Sequence, residues 1–335
     1  MVFVTGGTGL VGSHLILELL KAGKSVKALK RPNSNIALVD KLFEWNKLDA
    51  DQYMKKLFWV DGDLLDPVSI DEAIGEIKEV YHCAGMVSFK PSDRLKMIEY
   101  NVGGTTNLVN ACLERGVEKF CHVSSVAAFG QAVDGKTIDE ETTRTASAEH
   151  SGYSISKYLS ELEVWRAISE GLSAVIVNPS IIIGPANWKK GSSLMFGEVA
   201  KGMKFYITGS TGFVDVRDVV SIMIELMEKK IFGQGFCLNA ENLSFREVFT
   251  EIAKTLDVKP PSIEAEPWMI GLARYIETIK SKIINTEPRV TKESARSALS
   301  KTSYSNKKIA ELLEYKFVPV KESINHTGKL FRTEP

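Results

Sequence analysis

The chain has little from which to build a disulfide framework or a metal site. Its 335 residues include four cysteines, Cys83, Cys112, Cys121 and Cys237, and no two stand in a Cys-x-x-Cys spacing. Two of them lie in apolar strand-like runs, so they read as buried free thiols of a protein in a reducing cytoplasm, and no metal site is expected. An excess charge of either sign is also missing: 42 Lys and Arg balance 42 Asp and Glu. Electrostatics therefore give no reason to expect nucleic acid or an anionic membrane as a partner. No uninterrupted apolar run reaches the length of a membrane span. The apolar N-terminus lacks the basic flank of a signal peptide and is broken by Thr5-Gly6-Gly7-Thr8-Gly9, so it is not read as a leader. The glycosylation patterns at Asn242 and Asn325 then have no secretory context. Internal repeats, low-complexity tracts and long like-charge blocks are absent as well. What is there is ordinary for a globular protein, 44% hydrophobic and 25% charged. The length suits one large α/β domain with a smaller lobe.

The densest pattern stands at the start. Val2 to Val4 form a short β-branched run, and Gly6, Gly9 and Gly12 follow at once. Leu10, Val11, Leu15, Ile16, Leu19 and Leu20 then recur at helical spacing as far as Gly23. Strand, glycine turn and helix are the context of a dinucleotide-binding loop. Glycine permits the sharp turn and the close approach of a pyrophosphate, whose charge is held by the free N–H groups and dipole of the helix start. Gly6, Gly9, Leu10, Val11 and Gly12 are the candidate contacts.

Further strand-like runs follow at 25–29, 57–60, 80–83, 120–123 and 174–177, with helical stretches near 36–45, 95–114 and 153–170. Repeated βα units with apolar strands predict an α/β fold with a Rossmann-type doubly wound parallel sheet, and ligands at the carboxyl ends of its strands. From Pro179 the pattern loosens. Short strands at 205–208, 213–216 and 236–238 mix with helices at 245–256, 268–284 and 305–313, the first opened by a Ser244/Glu247 capping box. The expected division is a dinucleotide-binding domain over 1–178, joined by 212–232, and a smaller mixed α/β substrate lobe over 179–335.

The second strand ends in Lys30-Arg31-Pro32, where an NAD-type fold places an acid for the adenosine ribose. Two cations there suit a 2′-phosphate, so NADP(H) is the expected cofactor and NAD(H) the alternative. Tyr153-Ser-Ile-Ser-Lys157 opens the second long helix, with Tyr153 and Lys157 on one face. A neighbouring ammonium favours phenolate and would lower the tyrosine from its reference pKa of about 10, towards general acid–base work. Ser124-Ser125 closes the fifth strand, where a hydroxyl would hold a substrate oxygen.

The pieces Thr5-Gly-Gly-Thr-Gly-Leu-Val-Gly12, Gly62-Asp-Leu-Leu-Asp66, His82-Cys-Ala-Gly85, Asn101-Val-Gly-Gly-Thr105, Ser124-Ser125, Tyr153-x-x-x-Lys157 and Asn178-Pro179 followed by Gly184-Pro185 stand in this order over residues 1–220. In this the chain resembles the extended short-chain dehydrogenase/reductase family. Through Arg31 and the segment Gly212-Phe-Val-Asp-Val-Arg-Asp-Val219 it looks most like the dihydroflavonol 4-reductase-like members. The resemblance implies that Tyr153 is the acid/base, that Ser125 orients the carbonyl (Ser124 if the register is one residue off), and that Lys157 also bonds the nicotinamide ribose. It further implies that Asp63 and Leu64 flank the adenine, that Ala84 and Gly85 line the ribose-phosphate path, that Asn101 supports the site, and that Pro179, Ile181 and Ile182 border the nicotinamide. Phe129 stands where many members carry Tyr, which alters the substrate wall.

The function expected is an NADP(H)-dependent oxidoreductase acting on a small-molecule carbonyl or alcohol. The alternative is a nucleotide-sugar epimerase or dehydratase with retained NAD, for which Lys189, Lys190, Arg217 and Arg289 are candidate diphosphate cations. A non-catalytic sensing module would not need the intact Ser125, Tyr153 and Lys157. His14 and His82 read as structural, while Trp188, Met195 and Phe196 suit lobe core and substrate wall equally. The outer faces of helices 95–114 and 153–170 are candidate homodimer surfaces.

Overall fold

The computed structural model describes residues 1–131, 137–145, 150–266, 268–269, 271 and 299–334. Its strands are β1 (Val2–Thr5), β2 (Val26–Lys30), β3 (Leu57–Asp61), β4 (Glu79–His82), β5 (Lys119–Val123), β6 (Ala174–Pro179), β7 (Ile181–Ile183), β8 (Phe205–Tyr206), β9 (Ser210–Asp215), β10 (Gln234–Leu238), β11 (Glu241–Ser244) and β12 (Ile263–Glu264). Between and after them run α1 (Leu10–Lys21), α2 (Ala37–Trp45), α3 (Ala50–Met54), α4 (Pro67–Ile74), α5 (Arg94–Ile98), α6 (Gly104–Glu114), α7 (Gly152–Ser169), α8 (Leu194–Ala200), α9 (Val216–Glu228), α10 (Phe245–Leu256), α11 (Lys307–Leu313) and α12 (Val320–Arg332).

Seven strands form one parallel sheet in the order β10-β6-β5-β4-β1-β2-β3. The chain runs outward from β1 through β2 to β3 and then restarts at β4 on the other side, so the strand order reverses between β1 and β4. The crevice at the carboxyl ends of those two strands is where such sheets take ligands. Side chains alternate across the sheet: Val2 and Val4 enter a core with α1 and α9, whereas Phe3 enters a second core with Ile70, Leu108, Cys112 and Val164 from α4, α6 and α7. Burial of each such large side chain contributes roughly 1.5–3 kcal/mol.

The main sheet draws on residues beyond 179. Strand β10 closes its edge on β6, α9 covers it beside α1, and Ile309 and Leu313 of α11 return to the same core. The rest of the C-terminal half builds a lobe, in which β9 pairs with β7 and β11 over a core of Ile183, Phe196, Phe213, Phe249 and Ile252. Trp188 meets Phe331 edge-on at 5.1 Å and lies 6.1 Å from Phe196. With Met195 and Trp188 packed on the same cluster and Phe196 buried in it, these residues contribute to the lobe core. The helix expected over 268–284 falls almost wholly outside the described residues. The continuous helix expected over 95–114 is instead α5, a π-helical turn at Glu99–Gly103, and α6.

Candidate active site

The turn after β1 is closed by two glycines and left open by a third. Gly6 has φ +70°, and a Cβ there would lie 2.5 Å from the Ala84 nitrogen. The backbone leaving β4 therefore presses against it, and only glycine fits. A Cβ on Gly12 would come within 2.2 Å of the Gly6 carbonyl oxygen. Gly9 differs: it is the exposed N-cap of α1 with extended backbone, and its missing Cβ meets only the Gly6 oxygen, at 3.3 Å. Helix α1 has no side-chain cap and no acid in its first turn, so its initial N–H groups remain available to an anion.

This loop borders a cavity of about 680 Å³, lined by Thr8 to Leu10 on one side, Arg31 to Asn35 at the end of β2, and Asn187 and Lys190 from the lobe. The Arg31 guanidinium lies over the Tyr100 ring, 5.5 Å from its centre. Lys30 is ion-paired with Asp61 at the end of β3, so Arg31 is the residue of the pair that lines the cavity. An open Gly9, unspent helix amides and a guanidinium across the cavity fit a dinucleotide. Asp63 accepts a bond from the Leu65 N–H at 3.0 Å, while the Leu64 side chain is buried under α6, against Gly104.

The second cluster lies at the ends of β4, β5 and β6. Ser151 caps α7 through the Ser154 N–H, and the first turns then present Tyr153 and Lys157. The Ser125 side chain stands close enough to the Tyr153 phenol to act on it. Burial holds the phenol above its ordinary pKa, and the Ser125 hydroxyl pulls the other way. The lowering expected from Lys157 is not found: burial dominates, and the downward pull comes from Ser125. Lys157 is only 5% exposed and donates to the Val123 carbonyl at 2.8 Å. Burial pulls its ammonium down to about 8, against an upward pull from Glu161 and then Cys83. A Cβ on Gly85 would stand 3.9 Å from Lys157 Nζ, so the Ala84–Gly85 backbone passes beside the ammonium.

Asn101 explains the break in the helix. It sits in the π-helical turn, and its side chain takes both backbone groups of Met86: Oδ1 accepts from the N–H at 2.7 Å and Nδ2 donates to the carbonyl at 3.0 Å. The same Nδ2 lies 3.0 Å from Ser156 Oγ on α7. A wide turn that aims one side chain is the common use of π-helical segments. Pro179 ends β6, and Ile181 and Ile182 are half-buried in β7, with Ser192 Oγ bonded to the Ile182 carbonyl.

The structure brings Ser125, Tyr153, Lys157, Asn101 and Gly85 together, and turns Ser124 away. Ser124 Oγ instead donates to Glu161 at 2.6 Å. Of the candidate diphosphate cations, Arg217 is held by Asp215 at 2.7 Å, Lys190 lines the cavity, and Arg289 lies outside the described residues. His82 is a structural bonder: Nδ1 meets Thr5 Oγ1 at 2.7 Å and Nε2 meets Thr105 Oγ1 at 2.9 Å. Glu161 was not among the expected site residues. Its one sequence signal is its place a helical turn beyond Lys157.

Residues 2–235 match the model of the NAD dependent epimerase/dehydratase family. The chain is 28% identical over 299 residues to sterol demethylase protein B of Methylococcus capsulatus, covering 88% of this chain and 86% of that one. It is 29% identical over 314 residues to an anthocyanidin reductase ((2S)-flavan-3-ol-forming) of Vitis vinifera, covering 87% and 88%. The crystal structure of gox2253 superimposes with a TM-score of 0.81 at 30% identity, over 99% of this chain and 98% of that one. Among the described residues, no helix is long and apolar enough to cross a membrane.

Proposed function

The chain belongs to the NAD dependent epimerase/dehydratase family and is an NAD(P)-dependent oxidoreductase of the extended short-chain dehydrogenase/reductase type; from that premise we propose that it reduces an apolar organic carbonyl to the alcohol with NADPH, through Ser125, Tyr153 and Lys157. The observation that carries the reading is the approach of the Tyr153 phenol to Ser125, one helical turn from the buried Lys157. The reductase names among the relatives support the direction. Phe89, 44% exposed with its ring 6.4 Å from that of Tyr153, supports an apolar substrate.

Gly9 and the α1 amides would hold the pyrophosphate, Arg31 the 2′-phosphate, Asp63 and the backbone at Leu64 the adenosine, Ala84 and Gly85 the ribose-phosphate path, and Asn101, Pro179, Ile181 and Ile182 the frame around the nicotinamide, while Ser124, bonded to Glu161, has no part in that frame. When bound, NADPH supplies the hydride. Ser125 holds the substrate oxygen by a hydrogen bond. Tyr153, kept protonated by burial at neutral pH, passes its phenolic proton to that oxygen as negative charge develops there. Lys157, charged below its pKa of about 8, stabilises the phenolate left behind and fixes the ribose.

The test is a panel of aldehydes, ketones and flavonoid-like carbonyls, read by NADPH oxidation. With a turned-over compound in hand, Tyr153→Phe is expected to lower kcat roughly 10²–10⁴-fold, the usual worth of a general acid, with NADPH affinity retained. Wild-type turnover in Tyr153→Phe refutes the assignment. A nucleotide sugar interconverted without net cofactor oxidation replaces the reading with the epimerase one.

A further inference from the structure

Glu161 receives an unusual share of the hydrogen bonds around this site. One of its oxygens accepts from Ser124 Oγ at 2.6 Å and from Asn178 Nδ2 at 2.7 Å, and the other from Trp165 Nε1 at 3.2 Å. Ser124 ends β5, Asn178 lies near the end of β6, and Glu161 and Trp165 belong to α7, so one carboxylate joins three elements. Asn178 Nδ2 also reaches the Ser125 carbonyl at 3.2 Å. The backbone that carries Ser125 is therefore held from Glu161 through a single amide. Bonds from neutral donors to a carboxylate are short and strong, and such networks fix the groups they link.

The second role is electrostatic. Glu161 follows Lys157 by four residues, so both stand on the same helical face. The ammonium gives one of its three N–H groups to the Val123 carbonyl, and the carboxylate acts on it through space across a poorly solvated interior. Among the titratable groups facing Lys157, Glu161 exerts the largest upward pull and Cys83 a smaller one. His82 on β4 and His122 on β5 are held neutral by burial, Cys83 after β4 is pushed up to about 12, and Tyr153 on α7 is raised by its own burial.

We propose that Glu161 is a positioning residue of the active site, whose carboxylate clamps the ends of β5 and β6 through Ser124 and Asn178 and supplies the negative charge that offsets the buried Lys157 ammonium. The proposal rests on the reading of Lys157 as a cofactor-binding ammonium, and its test needs no substrate. NADPH affinity is measured by fluorescence from pH 6 to 10 for the full chain and for Glu161→Gln, Glu161→Asp and Lys157→Met. The wild type loses affinity through an alkaline limb near pH 8. Glu161→Gln keeps the shape and the acceptor oxygen but not the charge, so its limb moves down by about one pH unit, a tenfold change in the ratio of ammonium to amine. Glu161→Asp restores the charge and moves the limb back. A purely structural role for Glu161 would lower the unfolding temperature and leave the limb in place. An unmoved limb in a folded Glu161→Gln overturns the proposal while the Lys157 reading stands. A limb that survives in Lys157→Met overturns that reading and the proposal with it.

Discussion

The glycine loop after β1 and the cluster after β5 lie at the same edge of one sheet but are built in opposite ways. The loop works by missing atoms. Gly6 and Gly12 have no room for a Cβ, and Gly9 leaves a face open to an anion. The cluster works by side-chain contacts that tie its elements together: Tyr153 faces Ser125, Lys157 donates to Val123, Asn101 bonds Met86 and Ser156, and Ser124 and Asn178 bond Glu161. Added atoms should therefore damage the loop, whereas removed atoms should damage the cluster. Within the loop the damage should also differ by position, because Gly6 and Gly12 have no room for a Cβ and Gly9 has.

That distinction gives the largest expected effect. Gly9→Val is expected to fold, since its backbone is extended and its Cβ would meet one oxygen at 3.3 Å. It should nevertheless lose NADPH and NADH alike, by about 3 kcal/mol or more if two amide contacts to phosphate are lost. Gly12→Val should instead lower the yield of folded protein, because its Cβ would overlap the Gly6 carbonyl. Thermal unfolding and cofactor titration of the two variants separate the cases. Normal dinucleotide binding by Gly9→Val would show that the loop is a plain turn.

A smaller effect is expected at the rim of the same cavity, where one added or removed charge sorts two cofactors. Arg31→Ala should weaken NADPH binding by about 1–3 kcal/mol through a lost charge-assisted contact, with much less change for NADH. Lys30→Ala should change either affinity less, since Lys30 already serves Asp61 across the strand pair. Equal losses of both cofactors on Arg31→Ala would remove the 2′-phosphate role.

How much of this was visible in the sequence follows the same contrast. The loop is local: glycines three apart between a β-branched run and a helix announce it, and strands β1 to β6 could be placed from their apolar runs. The cluster is assembled from residues between 82 and 178, and only Tyr153 and Lys157 carry a local spacing. The choice between Ser124 and Ser125 depends on which side of an extended strand end faces α7, and two adjacent serines look alike in sequence. Lys30 and Arg31 likewise read as a pair until β3 brings Asp61 alongside one of them. The π-helical turn at Asn101 leaves no mark in the apolar periodicity, since what widens it is a bond to Met86 fifteen residues earlier. Strand β10 was readable as a strand, but its place beside β6 depends on pairing that no local pattern states.

The smallest expected effect tests a side chain that joins the two regions. Thr105 Oγ1 donates to the Asn101 carbonyl at 2.6 Å, so it accepts from His82 Nε2–H, and His82 Nδ1 then accepts from the Thr5 hydroxyl. Thr5 ends the strand that feeds the glycine loop, and Asn101 anchors the cluster. Protonation of Nδ1 breaks the Thr5 bond and places a charge in a buried site, and burial accordingly pulls His82 down to about 3. The folded pKa lies below the unfolded value near 6.5, so the unfolded chain binds the extra proton as the pH falls. His82 then contributes stability that is fully present above pH 6.5 and is lost between there and about pH 3, by about 1.4 kcal/mol per pH unit. His14, pulled down to about 4 by burial, and His122, held well below its ordinary range, add to the same slope. Urea unfolding at pH 7, 6 and 5 should show the wild type losing stability with acid. His82→Gln should be less stable at pH 7, because both threonine bonds are disturbed, yet should lose about 1.4 kcal/mol less per pH unit on acidification. It should also weaken NADPH binding, since Thr5 no longer steadies the loop. Parallel acid profiles for the two proteins would mean that His82 titrates alike in the folded and unfolded chains, and that the loop and the cluster are not joined through a neutral imidazole.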